Sequence, residues 1–235
     1  MRKLIVVTGG TQGIGRAIVE KFAEAGMDVV TCARTTATLM ELKTDLEARY
    51  AGIRVYTHRA DMGVKEEVKA FCDYVTGLGR PVEILVNNAG YFIPGSITTE
   101  SEGTLEQMMA ANLYSAYYTT RGLIDNVTVQ SSAHIFNMCS IASFQAYPNG
   151  GAYSISKAAL LGFSRNLREE LKPKGIRVTA VMPGATRTAS WNGTELPDER
   201  FMRSEDVAEA VFSAYSLSPR SVVEEILIRP QLGDI

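Results

Sequence analysis

Tyr153 and Lys157 stand four residues apart in a stretch with helical apolar spacing, so a phenol and an ammonium share one helix face. A neighbouring ammonium favours the phenolate and is expected to lower the tyrosine pKa from its usual value of about 10. A tyrosine tuned in that way can give a proton to a substrate oxygen, or take one, near neutral pH. Taken alone, Y-x-x-x-K is also an ordinary pair on a helix surface.

A second group capable of chemistry lies near the start of the chain, where Gly9, Gly10, Gly13 and Gly15 form the pattern T-G-x-x-x-G-I-G. A glycine loop between a first strand and a first helix lets the backbone approach a phosphate and offers it the free N–H groups of the helix start. The next strand ends in Thr31-Cys32-Ala33-Arg34-Thr35, with no acidic residue before Glu41. A carboxylate there would suit a ribose 2′-hydroxyl, whereas the planar fork of Arg34 suits a 2′-phosphate, so NADP(H) is expected over NAD(H). Gln12 stands in the loop where a second basic residue would have strengthened that expectation, and Arg34 could also be a solvated surface cation.

Metal and disulfide chemistry are not expected. Cys32, Cys72 and Cys139 are widely separated and odd in number, and neither His58 nor His134 sits near a cysteine or in an H-E-x-x-H pattern. Reduced thiols fit a cytoplasmic location.

These groups need elements to hold them, and the hydrophobic periodicity supplies an alternating set. Strands are predicted at 3–8, 27–32, 55–59, 84–86, 133–138, 176–181 and 225–228. Helices are predicted at 14–25, 38–50, 64–76, 152–171 and 204–216, with one or two joined helices over 104–126. Seven strands with intervening helices, and no Pro/Gly/Ser-rich linker, give an α/β fold with one doubly wound parallel sheet across residues 1–235.

Composition agrees with a globular chain: 235 residues, 46% apolar and 21% charged, with a net charge of −2. Acidic and basic residues are intermixed, leaving no footprint for nucleic acid and no polybasic stripe for a membrane. The apolar runs are too short to span a bilayer, and Thr8-Gly9-Gly10 interrupts the first of them too early for a signal peptide.

The chain carries, in order, Thr8-Gly9-x-x-x-Gly13-Ile14-Gly15, Asp61, Asn87-Asn88-Ala89-Gly90, Asn112, Ser140, Tyr153-x-x-x-Lys157 and Pro183-Gly184. In that series it resembles the short-chain dehydrogenase/reductase family over essentially its whole length, in the compact single-domain form with a Rossmann fold. The resemblance implies Tyr153 as general acid and base, Lys157 as its partner and a ribose ligand, Ser140 as a holder of the substrate oxygen, and Asn112 as the anchor of a proton-relay water. It implies a cofactor cradle of Gly9, Thr11, Gln12, Gly13 and Ile14, with Arg34 and Thr35 at the adenine ribose and Asp61 with Met62 at the adenine. Asn88, Ala89 and Gly90 would lie beneath the ribose, and Pro183, Gly184, Thr186 and Thr188 would run along the nicotinamide. Asp61 could instead cap a helix, and Asn87 could be a turn residue or a structural hydrogen-bonder.

Substrate selection should lie in loops at the carboxyl ends of the strands, with Phe92, Gln145, Tyr147 and Trp191 as wall candidates beside Ile93, Phe144 and Asn149. A short lid is expected at about 185–203, with Trp191 either over the substrate or packed on the surface. The tail, 221–235, is similar to that of a sepiapterin-reductase-like subgroup of the family. The resulting expectation is NADPH-dependent reduction of a small ketone or aldehyde. Pteridine diketone reduction, 3-oxoacyl thioester reduction, NAD-dependent alcohol oxidation and a non-catalytic NADP(H) sensor are the alternatives. The resemblance also implies a homodimer or homotetramer formed through the helices at 104–126 and 152–171, which carry Tyr114, Tyr117, Tyr118, Leu160, Leu161 and Phe163.

Overall fold

Five consecutive buried residues, Leu4–Thr8, form β1, an interior strand of the structure, a computed structural model that describes residues 1–129, 132–191 and 193–235. Side chains alternate across a strand, so Ile5 and Val7 enter one core while Leu4 and Val6 enter another. This is why the strand reads as an unbroken apolar run: helices cover both faces.

The remaining elements follow in βα alternation. They are α1 (Gly13–Glu24), β2 (Asp28–Ala33), α2 (Thr36–Arg49), β3 (Val55–Arg59), α3 (Lys65–Gly77) and β4 (Ile84–Asn87). Then come α4 (Thr104–Met109), α5 (Ser115–Thr128), β5 (His134–Met138), α6 (Gly151–Leu171), β6 (Arg177–Pro183), α7 (Ser204–Ser216) and β7 (Glu225–Ile228). The seven strands make one parallel sheet in the order β3-β2-β1-β4-β5-β6-β7. The order reverses direction between β1 and β4, where Val6 pairs with Val30 on one side and with Leu85 on the other. In such a sheet the crevice at the reversal, beyond the carboxyl ends of the strands, is the place for a ligand.

One core packs α1, α2 and α7 on the sheet through Phe22, Leu42, Leu46 and Val211. The other packs α3, α5 and α6 through Phe71, Val75, Leu123 and Leu167. The joined helices expected over 104–126 are present, but α4 and α5 are connected by a single π-helical turn, Ala110–Tyr114. A π-turn inserts an extra residue without ending the helix and re-aims the side chains it carries. Of the apolar residues noted on these helices, Leu160 and Leu161 are buried against the sheet side, whereas Tyr114 and Tyr117 are exposed.

Asn87 proves to be a structural hydrogen-bonder. Its Nδ2 donates to Thr120 Oγ1 at 2.9 Å and to Asn137 Oδ1 at 2.8 Å, and Asn137 donates in turn to Ser164 Oγ at 3.0 Å. No described helix is long and apolar enough to cross a membrane.

Candidate active site

The glycine loop is built by close approach. A Cβ on Gly15 would lie 2.3 Å from the Gly9 carbonyl oxygen and 2.4 Å from Asn88 Nδ2, so no side chain fits there. Asn88 ties this turn to β4: its Nδ2 donates to the Thr8 and Gly9 carbonyls at 2.9 and 3.1 Å. The Thr8 hydroxyl accepts from the backbone N–H groups of Asn88 and Ala89 at 3.0 and 2.9 Å. Helix α1 follows with no side-chain cap and no acidic residue in its first turn. The N–H groups at the start of that helix and the positive end of its dipole therefore face the crevice uncompensated by a side chain, which suits a phosphate.

The crevice itself is a cleft of about 750 Å³. It gathers most of the residues singled out from the sequence. Gly9, Thr11, Gln12, Gly13 and Ile14 line one end with Arg34, Thr35, Asp61, Met62, Asn88, Ala89 and Gly90. Ser140, Tyr153, Lys157, Pro183, Gly184, Thr186 and Thr188 line the middle and far side, and Phe92, Gln145, Tyr147 and Trp191 are also on the wall. Arg34 is exposed and has no ion-pair partner among the described residues, leaving its guanidinium free for an anion. Asp61 is not the helix cap: Val64 occupies the N-cap position of α3, and the Asp61 carboxylate closes a local turn by accepting from Gly63 N at 2.9 Å.

Asn112 does not line the cleft. It is buried behind the wall in the π-turn, with Oδ1 accepting from Tyr91 N at 3.0 Å. Its Nδ2 donates to the Tyr91 carbonyl at 3.1 Å and to Ser156 Oγ at 2.9 Å. Ser156 Oγ donates onward to the Tyr153 carbonyl at 2.7 Å, so Asn112 reaches the first turns of α6 through one hydroxyl.

Ser140 closes β5 and opens a short 3-10 turn, Ile141–Ser143. Its hydroxyl accepts from Ala142 N at 3.1 Å, while Ser143 Oγ accepts from Ser140 N at 3.2 Å. This reciprocal cap fixes the Ser140 side chain toward the cleft, and Ser143 was not visible as a site residue in the sequence. Lys157 is buried and donates to the Met138 carbonyl at 2.7 Å. Phe92 packs edge-on against the Tyr153 ring with centroids 4.9 Å apart.

The expected lowering of the Tyr153 pKa is not what this arrangement gives. Burial pushes the phenol up to about 12, against the opposing effect of the Ser140 hydroxyl. Burial also pulls Lys157 down to about 8, with the nearby Cys139 acting weakly in the other direction. The physical reason is that both groups lose water together, and the ammonium turns to the Met138 carbonyl rather than to the phenol oxygen. The pair as it stands holds a protonated phenol, the form that donates.

Three wall candidates are displaced. Ile93, Phe144 and Asn149 do not line the cleft. Phe144 turns its ring toward the Arg229 guanidinium, 5.8 Å away, and Asn149 takes a left-handed turn conformation at φ 60° with its carbonyl bonded to Gly95 N. In their place the tail supplies Asp234 and Ile235. Arg229 pins that tail, pairing with Asp234 at 3.0 Å and donating to Gln145 Oε1 at 2.7 Å. No local pattern announces a wall made by residues this far along the chain; the contact exists only in the folded state.

The 185–203 segment, of which residue 192 lies outside the described residues, is laced rather than loose. Met202 N bonds to the Ala185 carbonyl at 3.0 Å, Arg187 N bonds to the Met202 carbonyl at 2.8 Å, and Arg187 pairs with Asp198 at 3.0 Å. Trp191 both lines the cleft and packs edge-on against the buried Phe201, centroids 5.1 Å apart. Among the described residues no group of His, Cys, Asp or Glu could hold a metal.

Comparison with known proteins agrees with this picture. Residues 3–198 match the family described as short chain dehydrogenase. The sepiapterin reductase of Chlorobaculum tepidum is 33% identical, over 100% of this chain and 99% of its own. The alcohol dehydrogenase of Thermococcus sibiricus, solved with 5-hydroxy-NADP, superposes with a TM-score of 0.92 at 26% identity, covering 99% of this chain and 98% of that one. The L-sorbose reductase of Gluconobacter frateurii, solved with NADPH and L-sorbose, gives 0.89 at 28% identity, covering 97% and 95%. With a matching family model and relatives that align over the full chain, the chain belongs to the short-chain dehydrogenase/reductase family of oxidoreductases.

Proposed function

We propose that the protein is an NADPH-dependent reductase of small ketones or aldehydes, with Tyr153 as the proton donor. The carrying observation is the meeting of Tyr153, Ser140 and Lys157 on one wall of the cleft whose other end is the glycine loop. The cofactor, when bound, supplies hydride to the carbonyl carbon. Gly9, Thr11, Gln12, Gly13 and Ile14 would hold its pyrophosphate, and Arg34 with Thr35 the ribose phosphate. Asp61, Met62, Asn88, Ala89 and Gly90 would hold its adenosine, and Pro183, Gly184, Thr186 and Thr188 its nicotinamide. Ser140 donates a hydrogen bond to the substrate oxygen, stabilising the charge that develops there. Tyr153 gives that oxygen its proton, and Lys157 stabilises the phenolate left behind. Asn112 supports the relay that returns the proton. Phe92, Gln145, Tyr147 and Trp191 bound the substrate, and 185–203 serves as its lid.

Several solved relatives hold NADP(H), and one holds a small keto sugar, which supports both the cofactor preference and the substrate size. The likeness to a sepiapterin reductase favours a side-chain diketone on a pteridine as the second reading. Exposed Tyr114 and Tyr117 favour association of copies through α5 and α6 into a dimer or tetramer. The deciding experiment follows NADPH absorbance across a carbonyl panel that includes sepiapterin, beside a Tyr153→Phe control. Turnover abolished by the substitution supports the assignment; NADPH binding without turnover of any carbonyl overturns it.

A further inference from the structure

Helix α6 carries Tyr153 as its third residue and Lys157 as its seventh, yet it begins without a cap of its own. Gly150 occupies the N-cap position and has no side chain to offer, so the first-turn N–H groups need an acceptor from elsewhere. That acceptor is Glu100, whose Oε2 takes the hydrogen bond of Ala152 N at 3.2 Å from a loop 52 residues earlier in the chain.

The packing around this contact admits nothing larger. Gly151 has φ +28°, and a Cβ there would lie 2.6 Å from Glu100 Oε2 and 2.4 Å from the Gly95 carbonyl oxygen. Gly95 pairs with Gly150 and donates to the Asn149 carbonyl at 3.0 Å, while Glu100 N is held by the Ser96 carbonyl at 2.8 Å. The same loop touches the reacting side chain directly, because Phe92 packs edge-on against the Tyr153 ring. One segment, 92–100, thus fixes both the ring of Tyr153 and the turn from which it projects. A carboxylate at that place also complements the positive end of a 21-residue helix.

We propose that Glu100 is a positioning residue for Tyr153, acting as the borrowed N-cap of α6. For catalysis this rests on the reading of Tyr153 as proton donor; the structural part stands without it. Removing the cap lets the first turn fray, and a displaced proton donor slows chemistry more than it weakens cofactor binding, whose cradle is at the other end of the cleft.

The test uses the whole protein with Glu100→Ala, Glu100→Gln and Gly151→Ala. Expected for Glu100→Ala are amide exchange about tenfold faster over 150–154 but unchanged in 160–171, kcat lowered about tenfold, and NADPH affinity within twofold of the parent. Glu100→Gln keeps an acceptor oxygen and should retain at least about half of kcat, whereas Gly151→Ala, which expels the carboxylate, should behave like Glu100→Ala. Unchanged exchange in Glu100→Ala overturns the cap. A kcat loss matched by an equal loss of NADPH affinity, or a Glu100→Gln variant as impaired as Glu100→Ala, overturns the positioning role. A parent enzyme as inactive as Tyr153→Phe would instead count against the proposed reaction, with the exchange measurement still deciding the cap.

Discussion

The Lys157 ammonium lies 5.8 Å from the centre of the Tyr153 ring, while its hydrogen bond goes to the Met138 carbonyl. The two side chains therefore share a buried environment without a direct bond, and burial moves them in opposite directions, Tyr153 up to about 12 and Lys157 down to about 8. Below pH 8 the site holds a phenol and an ammonium, the pair that a reduction needs. Above it Lys157 loses its proton first. The kcat/KM for carbonyl reduction should accordingly be flat up to about pH 8 and fall above that point, read from initial rates between pH 6 and 10. A profile level to pH 10 would refute Lys157 as the controlling group.

Arg34 should discriminate between the two nicotinamide cofactors. Arg34→Asp is expected to weaken NADPH binding by about tenfold to a hundredfold, the worth of a charge-assisted hydrogen bond, and to leave NADH within about threefold. Fluorescence titration of both cofactors checks this, and equal losses would remove Arg34 from the phosphate site.

Gly15→Ala tests the turn between β1 and α1. Its Cβ would meet the Gly9 carbonyl oxygen and the Asn88 amide at once, so the loop must open. Denaturant unfolding should show a loss of about 1–3 kcal/mol, accompanied by weaker binding of NADPH and NADH alike. Wild-type affinity for both cofactors would mean that the close approach is dispensable.

Away from the site, Arg80 and Asp28 form an ion pair at 2.7 Å with both side chains less than a tenth exposed. Arg80 also donates to the Arg2 carbonyl, and the other Asp28 oxygen accepts from Arg54 N. Arg80→Met leaves that carboxylate buried without its cation and should cost about 3–5 kcal/mol in chemical denaturation. The double variant Arg80→Met/Asp28→Asn should recover part of the loss.

His134 sets an acid limit on stability. Its Nε2 lies 2.7 Å from Thr179 Oγ1, whose own hydrogen goes to the Val223 carbonyl, which assigns the proton to Nε2 of a neutral ring. Burial, with Arg177 adding to it, holds this pKa well below 6.5. As pH falls through 6.5 the unfolded chain takes a proton that the folded chain refuses, so stability drops by up to about 1.4 kcal/mol per pH unit. His134→Gln should flatten the dependence between pH 5 and 6.5 in urea titrations, and an unaltered slope would exclude His134 as its source.

The parts of this molecule that could be read before folding are those whose cause is local. A strand covered on both faces is continuously apolar, which is why strands read at 3–8 and 84–86 lie within a residue of Leu4–Thr8 and Ile84–Asn87, and a turn packed as closely as the one at Gly15 leaves room only for glycine. The π-turn that carries Asn112 has no such mark, since the apolar spacing over 104–126 fits one helix or two joined ones and does not locate a turn at Ala110–Tyr114. Asp234 and Glu100 carry no local mark for a related reason: Asp234 lines a cleft built by segments far earlier in the chain, and Glu100 accepts from Ala152, 52 residues later. Spacing shows that Lys157 neighbours Tyr153 but carries no sign of how much water the two have lost, and it is that burial which raises the Tyr153 pKa.

The order of strands has a consequence for how the chain comes to be made. Synthesis yields β1, β2 and β3 well before β4, and β1 then has β2 on one side and nothing on the other until residues 84–87 emerge. During that interval the nascent half-sheet shows an open edge of Leu4–Thr8, uncharged, without proline and strongly β-forming, which is the kind of edge on which chains aggregate. A strand that is interior in the finished sheet is thus an exposed edge of the unfinished one, open to aggregation until β4 pairs with it.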